Sequence, residues 1–311
     1  MPIANRKSLN HKWQESITER ANPASAFLDT ESTQEILRIM NREDQCVAPA
    51  VRRTLPRIAR AVDWAVEAIR EGGRMVYLGA GTSGRLGVLD AAECVPTYGT
   101  DRVVAILAGA PASLTSSVEE VEDNPQQAVR DLKKIRFTCN DLLVGISASG
   151  GAPYVLGGMR WARKVGAKVV GITCNPKAPL RAFADLTIIP VVGPEVIAGS
   201  SRLKAGTAQK LVLNMLSTAT MVRLGRVLSG NMINVQLSNQ KLWKRAKGIL
   251  VRLTGASRAA AAKALKDSRR NLPVALLMAL KKIPRSEASR QLQEGPSVAA
   301  VLRGALERVN Q

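Results

Sequence analysis

Five short apolar runs, rich in β-branched residues, lie between residues 74 and 193 and are separated by polar or amphipathic stretches. Such runs are typical of buried strands, and the stretches 125–134 and 153–165 have the length and apolar spacing of helices. Alternation of strands with helices predicts an α/β fold, here a five-stranded parallel sheet covered by helices on both faces. The five runs are RMVYLGAG, DRVVAILAG, NDLLVGISASG, AKVVGITCN and DLTIIPVVG.

The segments on either side of this region have helical patterns. Residues 29–44 predict a capped helix, with Ser32 or Thr33 as the N-cap, and 47–73 predict a longer helix that is kinked or broken at Pro56. Two apolar helices follow the strand region. The tail then contains three short helical stretches, SRAAAAKALKDS, NLPVALLMALKK and SEASRQLQE, divided by prolines.

These patterns predict three parts of the chain. Residues 1–45 form a polar leader, disordered over about the first twenty residues, followed by one helix. Residues 46–247 form the α/β domain, and residues 248–311 form a small three-helix domain.

Composition excludes several classes of protein. Of 311 residues, 46% are hydrophobic, but no window reaches the roughly 18 apolar residues of a membrane span, and the N-terminus lacks a signal-peptide core. The only histidine is His11, and the four cysteines form no CxxC pair, so neither a metal site nor a histidine-dependent triad is expected. We expect a cytoplasmic protein that needs no cofactor and makes no membrane contact.

The net charge of +20 is concentrated in the C-terminal third. Residues 201–311 contain 21 Lys and Arg residues against 4 Asp and Glu residues, a net charge of +17. Such asymmetry is typical of a polyanion-binding face. The alternative is a solvated basic surface, which the sequence favours because the charges are scattered at helical spacing and few aromatic residues are available for base stacking.

Two glycine- and hydroxyl-rich turns follow the first and third runs, at 79–84 (GAGTSG) and 147–151 (SASGG). Ligands in parallel sheets bind beyond the carboxyl ends of the strands. The first turn matches the dinucleotide fingerprint GxGxxG literally, but the second strand is not followed by the acidic residue that would bind a ribose. Dinucleotide binding is therefore disfavoured.

A phosphate monoester suits the two turns better. Thr82 and Ser83 offer hydroxyl donors at the start of a helix, where free N–H groups and the helix dipole favour an anion. Ser147 and Ser149 from the neighbouring turn are expected to complete the cradle. The alternative is that these hydroxyls only cap helices. The candidate ligand-binding residues of the two turns are Gly81, Thr82, Ser83, Gly84, Ser147, Ser149 and Gly150.

Three motifs, GAGTSGRLGVLDAAEC, VVGPEVIAGSSRLKAGTAQKLVLNMLSTATMVRLG and TERANPASAFLDTESTQEILRIMNRED, resemble the N-acetylmuramic acid 6-phosphate etherases. These enzymes belong to the sugar isomerase (SIS) domain superfamily and are related to the glucokinase regulatory protein. The resemblance extends from about residue 18 to the C-terminus. It implies a single SIS domain at 46–247, a homodimer, and cleavage of a D-lactyl ether by water to give N-acetylglucosamine 6-phosphate and D-lactate.

The resemblance also assigns two carboxylates. Glu93 matches the family's acid and Glu122 its base; without the resemblance, each would be interpreted as a surface carboxylate. In the open-chain sugar, the C2 proton is acidic because it is next to the C1 aldehyde, so one carboxylate removes it while an acid protonates the departing lactate oxygen. Water then adds through the same pair in reverse, a reaction that requires neither a metal nor a nucleotide.

Geometry limits this assignment. A helix running from Ser83 to Glu93 would place the two residues about 15 Å apart, further than a hexose phosphate reaches. We therefore expect either that the helix stops short and folds back, or that Glu93 serves the partner subunit's pocket.

Other charged and hydroxyl residues are further candidates. Ser201, Arg202 and Lys204 begin a helix and are candidates for holding the lactyl carboxylate or the phosphate, with an interface role as the alternative. Arg85 is expected either to bind an anion or to pair with Asp90.

The chain departs from the family pattern at several positions. Gly151 and Ala152 replace a charge and a hydroxyl, Ser147 supplies a hydroxyl where Ala is frequent, and Glu120 stands where Gly is usual. A non-catalytic sugar-phosphate sensor therefore stays open as the alternative function. An aldose–ketose isomerase is less favoured, because those proteins lack the segment GSSRLKAGTAQKL.

Overall fold

The central element of the fold is a parallel sheet of five strands. The computed structural model describes residues 16–116, 118, 120–237 and 239–309. The strands are β1 (Met75–Gly79), β2 (Val103–Leu107), β3 (Leu142–Ile146), β4 (Lys168–Ile172) and β5 (Leu186–Ile188), in the spatial order β2-β1-β3-β4-β5. All residues of β1 and β3 are buried, as expected for central strands of a sheet that is covered on both faces.

Seven helices accompany this sheet: α1 (Thr33–Asp44), α2 (Val47–Arg52), α3 (Leu55–Arg70), α4 (Gly81–Tyr98), α5 (Pro125–Lys134), α6 (Pro153–Lys164) and α7 (Lys204–Arg223). Val76 and Leu78 pack with residues of α5 and α6. Tyr77 points to the opposite face, where its hydroxyl donates to Asp90 of α4 at 2.9 Å. The predicted α/β fold is confirmed. The helix break expected at Pro56 is confirmed too, since Pro56 is the second residue of α3.

The chain divides into two compact units, one comprising Met1–Ala91 and Arg102–Ser217 and the other comprising Ala92–Asp101 and Thr218–Gln311. The second contains a two-stranded ribbon, β6 (Val227–Leu228) and β7 (Asn231–Met232). It also contains the helices α8 (Gln240–Thr254), α9 (Arg258–Asp267), α10 (Leu272–Lys281), α11 (Arg285–Glu294) and α12 (Val298–Val309).

The C-terminal helical region contains more helices than the sequence predicts. The three short helices expected there are α9, α10 and α11, but α8 and α12 share their apolar core through Ile249, Leu250 and Leu302. The region therefore has five helices rather than three. The boundary expected at residue 248 falls inside α8, where a continuous helix is stabilised by its buried face. Residues 1–15 of the leader that was expected to be disordered to about residue 20 lie outside the described residues. Disorder is wrong for residues 16–20, which contain the 3₁₀ turn Ile17–Glu19, where Thr18 is buried and its carbonyl accepts from the Gly199 N–H at 2.9 Å. Among the described helices, none is long and apolar enough to cross a membrane.

Candidate functional site

The first glycine-rich turn joins β1 directly to α4. A Cβ built on Gly84 would lie 2.6 Å from the carbonyl oxygen of Gly79, so Gly84 allows the strand and the helix to approach closely. Gly81 has a φ of +52°, a conformation that residues with a side chain rarely adopt, and the space around its Cβ position is open. Gly84 thus has a structural role, whereas Gly81 leaves room at the helix start.

The hydroxyl of Ser83 is buried and donates to Oε1 of Gln209 on α7 at 3.0 Å. Gln209 is fully buried, and its Nε2 has no hydrogen-bond partner among the described residues. A buried donor without a partner costs about 1–3 kcal/mol. Gln209 could not be predicted from the sequence, because a glutamine within an apolar helix carries no motif of its own.

The second turn, at 147–151, follows β3. Oγ of Ser147 accepts from the Gly150 N–H at 3.1 Å, and Oγ of Ser149 accepts from the Gly151 N–H at 3.3 Å. Gly150 has a φ of +74°, and a Cβ there would lie 2.3 Å from Cβ of Ala178, so only glycine fits. Both hydroxyls shape the turn as acceptors and retain a proton to donate.

Hydrogen bonds and close contacts connect the two turns with the start of α7. The Cys174 N–H donates to the Ala148 carbonyl at 2.9 Å, and Sγ of Cys174 lies 3.9 Å from the Ala205 carbonyl oxygen. A Cβ built on Gly206 would lie 3.5 Å from Cγ2 of Thr82. The turn after β1, the turn after β3 and the first turn of α7 therefore surround one region, which we call the cradle. Burial raises the pKa of the Cys174 thiol to about 12, so this thiol is unreactive.

The start of α7 is held by a buried network of charged residues. Both oxygens of Glu195 accept from backbone N–H groups, those of Lys204 and Ala205, at 3.0 and 2.9 Å. Burial raises the pKa of Glu195, against these hydrogen bonds. Nζ of Lys204 pairs with Glu43 at 2.6 Å, and Nδ2 of Asn22 donates to the same Glu43 oxygen at 2.7 Å.

This network changes the expected role of Lys204. Its side chain is buried and ion-paired, so the structure gives it a structural role instead of the expected contact with a ligand. Ser201 is half-buried and Arg202 is exposed, so both stay candidates for the ligand. Asn22 also donates to the Pro194 carbonyl at 3.1 Å, so two of the motifs noted above contact each other in the fold.

The ion pair of Glu43 should make the free energy of unfolding depend on pH. The hydrogen bond from Lys204 lowers the pKa of Glu43 below its ordinary value of 4.5. Its contribution to folding is thus present above that ordinary value and is lost as the pH falls through the lowered one. We expect Glu43→Gln to destabilise the protein by about 3 kcal/mol near neutral pH, because Lys204 loses its partner. The difference from wild type should become smaller as the pH falls toward 3.

Urea unfolding between pH 7 and pH 3 measures this effect. The control is Glu35→Gln on the same helix, where the carboxylate pairs with Arg38 on an exposed face and should contribute less than about 0.5 kcal/mol. A difference between wild type and Glu43→Gln that is constant with pH would contradict the prediction.

Arg85 anchors the loop that leads to the expected base. Its Nε donates to the Ser113 carbonyl at 2.8 Å and its Nη2 to the Ser116 carbonyl at 2.7 Å. The alternative pairing with Asp90 is wrong. Asp90 accepts instead from Tyr77, Asn214 and Ser217, a set that satisfies its buried carboxylate.

Glu122 is exposed in the short 3₁₀ turn Val121–Asp123. Glu120, which precedes this turn, has a φ of +63° and lies in the left-handed region. A side chain there costs about 1 kcal/mol. This strain explains the usual Gly at this position.

We expect Glu120→Gly to stabilise the fold by up to about 1 kcal/mol, because Gly adopts a positive φ without steric cost. Thermal unfolding, followed by circular dichroism, measures the change. Glu120→Ala is the matched control, since it removes the same charge but keeps a Cβ, and it should give no gain. Equal stabilisation by both variants would point to charge rather than backbone strain.

Glu93 is exposed on α4. That helix runs without interruption from Gly81 to Tyr98, with Pro96 inside it. The expectation that the helix stops short and folds back is therefore wrong, because the proline does not end it. Of the two alternatives, only the one in which Glu93 serves the partner subunit's pocket stays as a prediction.

Comparison with known proteins decides the family. An N-acetylmuramic acid 6-phosphate etherase from Vibrio vulnificus (strain YJ016) is 51% identical over 280 residues, which cover 89% of this chain and 93% of the relative. One from Photorhabdus laumondii is 48% identical over 292 residues, which cover 92% of this chain and 97% of the relative. The chain belongs to the N-acetylmuramic acid 6-phosphate etherase family.

Domain-level matches agree with the etherase family. Residues 57–163 match the glucokinase regulatory protein N-terminal SIS domain, and residues 112–219 match the SIS domain. A phosphoheptose isomerase from Francisella tularensis superposes with a TM-score of 0.49 and 17% identity, covering 62% of this chain and 99% of that chain. The etherase relatives and the two domain matches confirm the resemblance to the etherases and the SIS-type fold predicted from the motifs.

Proposed function

We propose that this protein is a carbon–oxygen lyase that cleaves the D-lactyl ether of N-acetylmuramic acid 6-phosphate, giving N-acetylglucosamine 6-phosphate and D-lactate. The observation that carries the proposal is the convergence of two hydroxyl-rich turns with the start of α7, in a chain about 50% identical to relatives named as etherases. We further propose a role in cytoplasmic salvage of cell-wall amino sugars.

The cradle holds the phosphate in this proposal. The first N–H groups of a helix have no partner inside it, and the helix dipole favours negative charge there. Thr82 and Ser83 add hydroxyls at the start of α4, and Ser147 and Ser149 add them from the turn after β3. Arg202, which is exposed beside α7, is the candidate for the lactyl carboxylate.

The reaction has two steps, elimination and hydration, and each step needs two proton transfers. Glu122 takes the C2 proton of the open-chain sugar while the C3–oxygen bond breaks, and Glu93 gives its proton to the departing lactate oxygen. The product of this step is an α,β-unsaturated aldehyde. Glu93, now a carboxylate, takes a proton from water as its oxygen adds to C3. Glu122 returns a proton to C2, so both residues end as they began.

Glu93 acts in the pocket of the partner subunit in this proposal, because an unbroken α4 carries it away from the phosphate end of its own helix. A homodimer provides that partner. Large apolar side chains exposed on α4 and α7 support such an interface, with Leu89 53% exposed and Met215 37% exposed.

Gln209 sets the direction of the Ser83 hydrogen bond. While its oxygen accepts from Ser83, the hydroxyl proton is not available to a phosphate. Rotation of the amide by 180° lets Nε2, the group without a partner, donate to Oγ of Ser83. Ser83 then donates its proton to the phosphate. In the ligand-bound state the Ser83 hydroxyl and Nε2 each have a partner, while Oε1 takes the position that Nε2 occupied.

We expect Gln209→Leu and Gln209→Glu to raise KM for N-acetylmuramic acid 6-phosphate about tenfold, the value of one hydrogen bond to a charged group, with kcat changed little. Ser83→Ala should give a similar KM. The double variant Ser83→Ala/Gln209→Leu should be no worse than Ser83→Ala alone. If the increases in KM of the two single variants multiply in the double variant, Gln209 acts independently of Ser83.

The alternative function is a sensor that binds the sugar phosphate without turnover. Incubation of the purified protein with N-acetylmuramic acid 6-phosphate, followed by a D-lactate assay, distinguishes the two. Release of stoichiometric lactate over many turnovers supports the etherase. Tight binding without lactate release would support the sensor and refute the proposal.

A further inference from the structure

The helical hairpin formed by α8, α9 and the turn after α9, residues 240–270, is the most basic part of the chain. It contains ten Lys and Arg residues and one acidic residue, Asp267. Asp267 pairs with Lys263 at 3.1 Å. In the part of the chain that the structure describes, no carboxylate lies within ion-pair distance of the other nine cations. We call this hairpin the basic hairpin.

Two concave regions of the basic hairpin are lined by these cations. One cavity of about 570 Å³ is lined by Trp243, Lys266, Arg269 and Arg270. A second, of about 410 Å³, is lined by Lys244, Lys247, Gly248, Val251 and Arg258. Neither lining includes a carboxylate. Concave surfaces lined by one sign of charge concentrate the electrostatic field and attract counter-ions.

The first cavity is built around two arginines in an uncommon conformation. Arg269 and Arg270 have φ values of +57° and +63°, in the left-handed region that usually requires glycine. The guanidinium of Arg270 lies 5.9 Å from the ring centroid of Trp243, so the ring orients it. The backbone turn and the ring together present cations toward one opening.

We propose that the basic hairpin binds the phosphate backbone of double-stranded nucleic acid without reading its sequence. The linings of the two cavities on α8 extend from Trp243 to Val251, a rise of about 12 Å along the helix, so the phosphates of one strand can contact cations from both. The ligand class follows from charge alone, because backbone contacts by Lys and Arg supply non-specific binding. This inference is independent of the proposed etherase activity.

Two other polyanions fit the surface less well. Single strands bind by stacking bases on aromatic rings, and the only aromatic residue of the hairpin is Trp243, whose ring already contacts Arg270. An anionic membrane would favour exposed apolar side chains beside the cations. None of the large hydrophobic residues that are exposed in the described chain lies within residues 240–270.

The test is fluorescence anisotropy with a labelled 24-base-pair DNA duplex from 50 to 300 mM KCl. We expect binding in the micromolar range at low salt, weakening as salt rises. The triple variant Lys266→Gln/Arg269→Gln/Arg270→Gln should bind at least tenfold more weakly, and its plot of log K against log salt should be flatter by about 2–3. Lactate release should be unchanged.

The matched control is Arg52→Gln/Arg53→Gln/Arg57→Gln, which removes the same charge from exposed positions in α2, in the turn that follows it and in α3. It should retain binding. Equal loss in both triple variants would overturn the proposal, because the attraction would then come from net charge alone. Stronger binding to phosphatidylglycerol vesicles or to a single strand than to the duplex would also overturn it.

Discussion

Replacement of Glu93 or Glu122 by Gln should lower kcat for lactate release by a factor of about 10²–10⁴, the usual contribution of a positioned acid or base. Gln is isosteric with Glu but can neither accept the C2 proton nor donate to the lactate oxygen. Both residues are exposed, so neither substitution removes packing from the core. We therefore expect wild-type unfolding temperatures and nearly unchanged binding of N-acetylglucosamine 6-phosphate by calorimetry.

Two exposed acids serve as controls for this prediction. Asp123→Asn removes the same charge one residue after Glu122, and Asp101→Asn removes one shortly after α4. Both should keep kcat within about twofold, because surface substitutions away from a site change little. A loss of activity in Asp123→Asn as large as that in Glu122→Gln would mean that the whole acidic turn, rather than one base, is required.

Mixing the two inactive variants should restore activity. If each pocket combines Glu122 of one subunit with Glu93 of its partner, a Glu93→Gln/Glu122→Gln heterodimer has one pocket with both glutamates and one with neither. Random pairing in a two-fold dimer gives half heterodimers, so about a quarter of the wild-type activity should return. Co-expression of differently tagged chains, followed by tandem purification, isolates the heterodimer. The purified heterodimer should have about half of the wild-type activity.

The result distinguishes the two arrangements of the site. If both glutamates of one pocket came from the same chain, each pocket of the heterodimer would carry one substitution and stay inactive. Absence of recovery, in heterodimers shown to be intact by mass spectrometry, would therefore refute the shared site. It would leave the etherase proposal itself unaffected.

The sheet was predictable because its five strands are buried on both faces and thus appear as continuous apolar runs. The five-helix C-terminal region was only partly predictable. Helix α12 begins shortly after Gly295 and Pro296, a stretch typical of a chain turn, and its twelve residues include three charged ones, Arg303, Glu307 and Arg308. Only the apolar core shared with α8 and α10, seen in three dimensions, shows why it is stable.

The cradle was predictable from hydroxyl-rich turns at strand ends, but the connections of its residues were not. Lys204 has the sequence context of a ligand contact, yet its ammonium pairs with Glu43, which lies 161 positions earlier in the chain. The role of Gln209 was not predictable because its partner, Ser83, lies 126 positions away. Such long-range pairs depend on the fold and leave no local pattern.

Isotope labelling distinguishes elimination and hydration from direct displacement of the lactyl group. The reaction should be run with N-acetylmuramic acid 6-phosphate in deuterated, ¹⁸O-enriched water, and both products analysed by mass spectrometry. Elimination followed by hydration predicts one deuterium at C2 and one ¹⁸O at C3 of the sugar, with no ¹⁸O in the lactate hydroxyl. Label in that hydroxyl, with C2 undeuterated, would show direct displacement and contradict elimination followed by hydration.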